Sequence, residues 1–329
     1  MRPMLSFRSI LSALVLSMLG LVSAGSALAQ ANYPDKPVRF VVPYPPGGGT
    51  DVIARIVQDR FQALLGQPII IDNKGGAGGS VGSELAARAA PDGYTVLFTL
   101  SSHTINPAIY PKLSFDTLKD FESIGTVASL PQILVANPQV PANTVAELVA
   151  LAKAKPELLA YASVGNGSPG HLAGELFKLR TGTQMTHIPY RGGGPAVTDV
   201  MSGQVPLLWV SIPAAAQFVK TGKLKALAVS TLKRSAAFPD VPTVQETGVP
   251  DFEVDSWYAM FVPARTPQPV IDRLNRALNS VVAEPGIRDK LLAQGAEGVG
   301  GTPQALTRIV AAEIPKWVKL AKDANIKAD

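Results

Sequence analysis

The chain contains no cysteine. That excludes a disulfide scaffold, a Cys-ligated zinc site, thiol catalysis and a lipid anchor on an N-terminal cysteine. Histidine is nearly absent as well. His103, His171 and His187 are the only three, none pair at i, i+4, and no carboxylate stands at ligand spacing beside them. No metal site is therefore expected. Long apolar runs are missing too. Ile10 to Val22 is apolar, broken only by small residues, and falls short of the ~20 residues needed to span a bilayer. Charge is low, at 17% of residues. The densest basic run is Lys220, Lys223, Lys225, Lys233 and Arg234, with no aromatic residues interleaved. It reads as a solvated face, and no nucleic-acid partner is expected.

Two features stand out against these absences. The first is the N-terminus. Arg2 and Arg8 precede the apolar run, and Ala27-Leu28-Ala29 follows it. This is the pattern of a secretory signal peptide over residues 1–29, cleaved after Ala29. The leader carries two of the 30 basic residues and none of the 25 acids, so the remainder has a net charge of about +3. The expected location is the periplasm. The second feature is an excess of Gly (29) and Pro (28) in a chain of 329 residues that is 47% hydrophobic. There is no Gly-X-Y period, so collagen is out, and the apolar content is too high for disorder. The length suggests two domains.

Val38 to Val42 reads as a buried strand, and Pro43 to Gly49 cannot continue it. Thr50 is a candidate N-cap for a helix over Asp51 to Leu65, with one apolar face at helical spacing. Three more units repeat this plan of strand, Gly-rich loop and helix; the four fall at 38–65, 69–90, 159–181 and 186–202. Such alternation argues a parallel sheet with right-handed crossovers. Phe121 to Asn137 differs: two strand-like pieces flank Pro131, as where a chain crosses between lobes. Thr144 and Glu147 form a capping box. The stretch 238–269 is rich in Pro. Helices are expected near 269–284 and 302–324, the second kinked or broken at Pro315.

Thirteen of the 29 Gly lie in four loops, at 47–49, 75–79, 165–170 and 192–194. A helix start after such a loop offers unpaired N–H groups and the positive end of the helix dipole, an anion site that needs no basic side chain. Three motif matches point elsewhere. Gly165 to Gly170 fits G-x-G-x-x-G, but no acid follows at the spacing a ribose needs. Gly78 to Gly82 fits G-x-S-x-G, but Ser80 lies nine positions after Ile71 and not directly after a strand. Gly47 to Thr50 lacks the lysine of a P-loop. No acid/base pair, nucleophile or metal cluster emerges, and no cofactor is implied. The residues describe an exported two-lobe protein that binds a small anion. An exported serine hydrolase using Ser80, or a ligand-loaded sensor for a partner protein, are the alternatives.

Several segments in order complete the reading: Tyr33-Pro34 with Lys36-Pro37-Val38, Pro43 to Asp51, Asn73 to Gly82, Pro91 to Tyr94 and Ser102 to Pro107. Gly165 to Glu175, Pro189 to Ala196 with Asp199, Leu227 to Val229, Phe238 to Glu246 and Ser256-Trp257-Tyr258 follow. Through them the chain resembles the Bug, or TctC-like, receptors of tripartite tricarboxylate transporters over nearly its whole length. One departure is Pro206 after Gln204-Val205, where the family usually has Asp. The resemblance implies an α/β type II periplasmic binding protein: two α/β lobes with a ligand cleft between them, joined by two crossing segments. Lobe 1 would be 30–131 plus 230–329 and lobe 2 132–229, crossing near Leu130-Pro131 and Val229-Ser230. It implies a non-enzymatic monomer that captures a small organic carboxylate and delivers it to cognate transporter membrane subunits. The ligand residues implied on lobe 1 are Tyr44, Pro46, Gly47, Gly48, Gly49, Asn73, Ser102 and His103. On lobe 2 they are Ser163, Asn166, Gly167, Ser168, His171, Tyr190 and Pro195, with Asp199 behind them and Arg191 facing either cleft or solvent.

Overall fold

The computed structural model describes residues 33–47, 49–110, 112–190 and 193–326. The leader and its expected cleavage site lie outside them.

Apolar strands and one-faced helices alternate as the sequence suggests. Strand β1 (Val38–Val42) leads to helix α1 (Gly49–Leu65), whose Ile53, Ala54, Val57, Phe61 and Leu65 are buried. Next come β2 (Ile69–Asn73), α2 (Ser80–Ala87), β3 (Thr95–Leu100) and α3 (Ser102–Ile109). Then follow β4 (Phe121–Ala136), α4 (Val145–Ala154), β5 (Ala160–Ser163) and α5 (Pro169–Thr181). After them come β6 (Thr186–Pro189), α6 (Gly193–Met201), β7 (Leu207–Ser211), α7 (Ile212–Lys220) and β8 (Lys225–Val229). The chain ends with β9 (Asp255–Pro263), α8 (Gln268–Ala283), α9 (Pro285–Ala293), β10 (Glu297–Gly300) and α10 (Pro303–Asp323). Half of the expected capping box at α4 forms: the Glu147 N–H donates to Thr144 Oγ1, while the Glu147 carboxylate reaches one residue further back and accepts from the Asn143 N–H. Helix α10 runs through Pro315 as one helix, so the break that was one of the two expected outcomes there does not occur. Burial of Leu306, Val310, Trp317 and Leu320 on either side of the proline holds both halves to the core.

The strands of the described residues form one sheet in the order β2-β1-β3-β9-β4-β7-β5-β6, with β8 and β10 also paired to β4. It has two parallel wings. β1 pairs parallel with β2 and β3, and β5 pairs parallel with β6 and β7. Strand β4 joins them. Its first part pairs with β9 as far as Pro131↔Asp255, and from Gln132↔Ser211 onward it pairs with β7. Proline lacks an N–H, so the change of partner falls where one ladder hydrogen bond is absent anyway.

Each wing is covered on both faces. One cluster packs α1 and α8 on the first wing through Phe40, Phe61, Leu274 and Leu278; another places Phe98's neighbours Leu97 and Phe261 against Leu306. On the second wing, Leu134, Tyr161, Phe177 and Trp209 form one cluster and Val135, Val197 and Val210 the opposite one. The stretch after β8, given above to lobe 1, packs on the second wing: Val244, Val249, Phe252 and Val254 are buried with Trp209. Ser230 lies at the junction, where its N–H donates to the Gln132 carbonyl and its hydroxyl to the Val254 carbonyl. Among the described residues no helix is long and apolar enough to cross a membrane.

Candidate functional site

The carboxyl ends of β1, β2 and β3 carry three loops that are tied together. Asp51, in the first turn of α1 and only 2% exposed, accepts hydrogen bonds from the Gly47 N–H (2.9 Å), Arg55 Nε (2.9 Å) and Asn73 Nδ2 (3.1 Å). Burial would raise its carboxyl, but those donors outweigh it and hold it below the usual carboxylate range. Asn73 also donates to the Tyr44 carbonyl at 3.0 Å, so β2 braces the loop that follows β1. Gly47 has φ +78°, a left-handed conformation that glycine adopts without a Cβ clash.

Tyr44 closes this knot. Its hydroxyl donates to the Gly78 carbonyl at 3.3 Å and also interacts with Ser102 and Thr99. Burial, opposed only in part by those hydrogen bonds, pushes its phenol up to about 12, so it stays a neutral donor. Tyr258 of β9 lies close by, and burial together with Tyr44 raises its phenol further. A Cβ on Gly49 would sit 2.8 Å from the Tyr258 hydroxyl, and one on Gly79 2.7 Å from the Tyr44 hydroxyl. The loops therefore approach two tyrosines more closely than a side chain allows. Asn106 of α3 donates to the Gly78 carbonyl (3.0 Å) and to Ser80 Oγ (3.3 Å).

The second wing repeats the arrangement. Ser163, fully buried at the end of β5, accepts from the Gly165 N–H (3.1 Å) and lies 2.7 Å from His187 Nε2. Ser168 caps α5 by accepting from the His171 N–H (3.3 Å). The Gly167 N–H donates to His171 Nδ1 at 3.1 Å. Tyr190, following β6, donates to Asp199 Oδ2 of α6 at 2.7 Å; burial and that carboxylate push its phenol up to about 12. Helix α3 links the two sets of loops, since Tyr110 lies against Gly78 while a Cβ on Gly167 would meet Ile109 Cδ1 at 2.2 Å.

Most of the expected residues thus stand at strand ends: Tyr44, Pro46, Gly47, Gly49, Asn73 and Ser102 on one wing, and Ser163, Asn166, Gly167, Ser168, His171 and Tyr190 on the other. Pro195 is exposed in the first turn of α6, and Asp199 stands behind Tyr190. Gly48 and Arg191 lie outside the described residues. His103 is a correction. It is 1% exposed, closed in by Phe115, Phe121 and Phe261 at 4.9–6.0 Å, with no partner for either ring nitrogen. A helical step turns about 100° per residue, so Ser102 meets Tyr44 while its neighbour points into the core. The roles of Asn106, Tyr258 and His187 are not marked in the sequence. Asn106 and Tyr258 both lie inside segments of the family resemblance, which does not assign them a role. Among the described residues no group of His, Asp or Glu could hold a metal ion.

A bilobal α/β sheet with a shared crossing strand and Gly-rich loops gathered at its strand ends is the architecture of a periplasmic-type solute-binding protein. The comparisons make this specific: the chain belongs to the tripartite tricarboxylate transporter family of receptors (TctC), whose profile matches residues 53–326. It is 36% identical to protein BugT of Bordetella pertussis over 319 residues, covering 95% of this chain and 98% of that one. Among solved structures it is similar to the periplasmic binding protein BugD (35% identity, TM-score 0.75, 90% of this chain and 100% of that one). It is likewise similar to Rpa4515 of R. palustris with adipate (35%, TM-score 0.78, 90% and 99%). MatC of Rhodopseudomonas palustris with bound malate is a further match (32%, TM-score 0.75, 88% and 99%). The family is one of solute-binding receptors, not enzymes, which sets aside a hydrolase built on Ser80.

Proposed function

We propose that this protein captures a small organic dicarboxylate between its two wings and hands it to the membrane subunits of a tripartite transporter from the periplasm. The observation that carries this reading is the pair of strand-end loop sets, each opening on a helix start: α1 on one side, α5 and α6 on the other. The first N–H groups of each helix lack intrahelical acceptors, and the dipole favours a negative group there. Two such ends at separated loops suit an acid with a carboxylate at each end, and the adipate and malate complexes of similar receptors support that class. Tyr44, Ser102, Asn166 and Tyr190 are the side chains we assign to the ligand, alongside the backbone of Pro46, Gly47 and Gly49 and of 165–168. Asn73, Ser163, Ser168 and Asp199 hold the loops in shape. The lobes divide within β4 at Pro131-Gln132 and again at Val254-Asp255, and closure is a hinge about these two points.

A thermal-shift panel containing adipate, malate, other dicarboxylates, tricarboxylates and amino acids tests the reading. A ligand at 100 times its Kd stabilises by about 2.7 kcal/mol. For a chain of this size that raises the melting temperature by several degrees. One dicarboxylate should do so, and a panel with no carboxylate response would sink the proposal.

A further inference from the structure

Tyr258 carries a hydroxyl that the fold itself does not use. Strand β9 runs antiparallel to β3, which sets Tyr258 opposite Leu100, the last residue of β3. The residue thus stands with the carboxyl ends of β1, β2 and β3, among the loops described above. Successive side chains of a strand point to opposite faces. Trp257 and Phe261 pack on one face with Leu306, while Tyr258 and Met260 pack on the other with the buried side of α1. The Tyr258 ring is therefore core, and the residue is 5% exposed. Its hydroxyl reaches the start of α1, where a Cβ on Gly49 would lie 2.8 Å from it. Among the described residues no group hydrogen-bonds to that hydroxyl: burial and the nearby Tyr44 phenol are what act on it. The hydroxyl of Tyr44 is itself engaged with Gly78, Ser102 and Thr99. We propose that Tyr258 is a ligand-contacting residue whose hydroxyl donates a hydrogen bond to one oxygen of a ligand carboxylate seated at the start of α1. This rests on these loops being the ligand site, as assigned above.

A buried hydroxyl without a partner is costly, and a phenylalanine would fill the same ring position without that cost. The cost is offset when the missing acceptor arrives with the ligand. The position selects the acceptor. The first N–H groups of α1 lack intrahelical partners and favour a negative group, and the hydroxyl stands beside that same helix end. Gly49 makes the approach possible, since a side chain there would take the place of the hydroxyl. Asp51, the buried carboxylate of the same helix turn, is taken up by Gly47, Arg55 and Asn73. Burial and Tyr44 keep the Tyr258 phenol neutral, so it remains a donor wherever the ligand is ionised. A hydrogen bond to an ionised acceptor is stronger than one to a neutral acceptor, so this end of the site selects a carboxylate over an ester or an amide.

Tyr258→Phe keeps the ring and removes the hydroxyl, which separates a structural role from a ligand role. In the ligand-free chain the variant's melting temperature should equal or exceed that of wild type. Calorimetry with adipate and with malate should show the variant binding the better of the two roughly tenfold to a hundredfold more weakly. With a carbon-13 label on tyrosine Cζ, one NMR signal that is missing from the variant should move when the acid is added to wild type. A ligand-free variant clearly less stable than wild type would show that the hydroxyl has a structural partner, and would overturn the proposal. Equal affinity in the two chains, or a Tyr258 signal that stays still on binding, would overturn it as well. A wild-type chain that ignores both acids but binds an amino acid or a tricarboxylate overturns the dicarboxylate reading alone, and the same loss in Tyr258→Phe on that ligand upholds the hydroxyl.

Discussion

His103 illustrates how much one side chain depends on its angle. It sits beside Ser102 at a strand end, yet its ring is sealed among phenylalanines with both nitrogens unpartnered. Burial pushes its imidazole down to about 3. The native state therefore binds a proton less readily than the unfolded chain, whose imidazole titrates near ~6.5. Its contribution to stability is complete above that ordinary value and is lost as the pH falls toward 3. His103→Leu removes both the titration and two unpaired nitrogens, each of the kind that costs ~1–3 kcal/mol when buried. Its melting temperature should match or exceed wild type at neutral pH, with the gap widening by several degrees near ~pH 4. A melting series over pH checks this, and parallel curves would refute it.

At the scale of elements, short loops are set by what lies against them. Gly167 has φ +68°, and a Cβ there would lie 2.2 Å from Ile109 Cδ1. A glycine at that position is needed for both the backbone and the approach of α3. Gly167→Ala should cost ~1–3 kcal/mol from the left-handed backbone and the displaced isoleucine. Trimming the neighbour in Gly167→Ala/Ile109→Val should recover only the packing share. Urea denaturation of the single and double variants measures both parts, and full recovery would show that the backbone conformation carries no penalty. By contrast, Gly182 (φ +63°) has nothing within 4 Å and simply ends α5. The two glycines share a conformation and differ in neighbours.

At the scale of the whole molecule, the crossing is the point where the wings meet. Asp255 pairs with Pro131 across β9 and β4, and its carboxylate accepts from Ser129 Oγ at 2.8 Å. A cavity of about 290 Å³ opens beside it, lined by Glu253, Glu313, Lys316 and Trp257 among others. Burial is the main cause that raises the Asp255 carboxyl to about 6, with Glu313 and Glu253 adding to it against the Ser129 hydrogen bond. The raised native value means that its contribution is full below the ordinary carboxylate range and is lost as the pH rises through 6. Asp255→Asn keeps an acceptor for Ser129 and removes the charge. It should be more stable than wild type by ~1–2 kcal/mol at neutral pH, an advantage that fades below ~pH 5. Denaturant titrations at the two pH values test this, and an equal gain at both would count against it.

Periodicity and loop glycines already specified much of the architecture: four strand–loop–helix units and a helix start after each loop, while the two strand pieces read on either side of Pro131 are one continuous strand. These are local signals, written in residues that sit close together in the chain. The family was legible for the same reason, through the order of short segments. What the sequence did not contain was direction. That Ser102 meets Tyr44 while His103 enters the core, that α10 continues through Pro315, and that 244–254 packs on the second wing all depend on contacts far apart in sequence. The same holds for His171 and His187, which are separated by 16 positions and by a helix, and become stacked partners only because β5 and β6 lie side by side. Local propensity shapes elements, but it is the burial of their apolar faces against one another that decides which side chains meet.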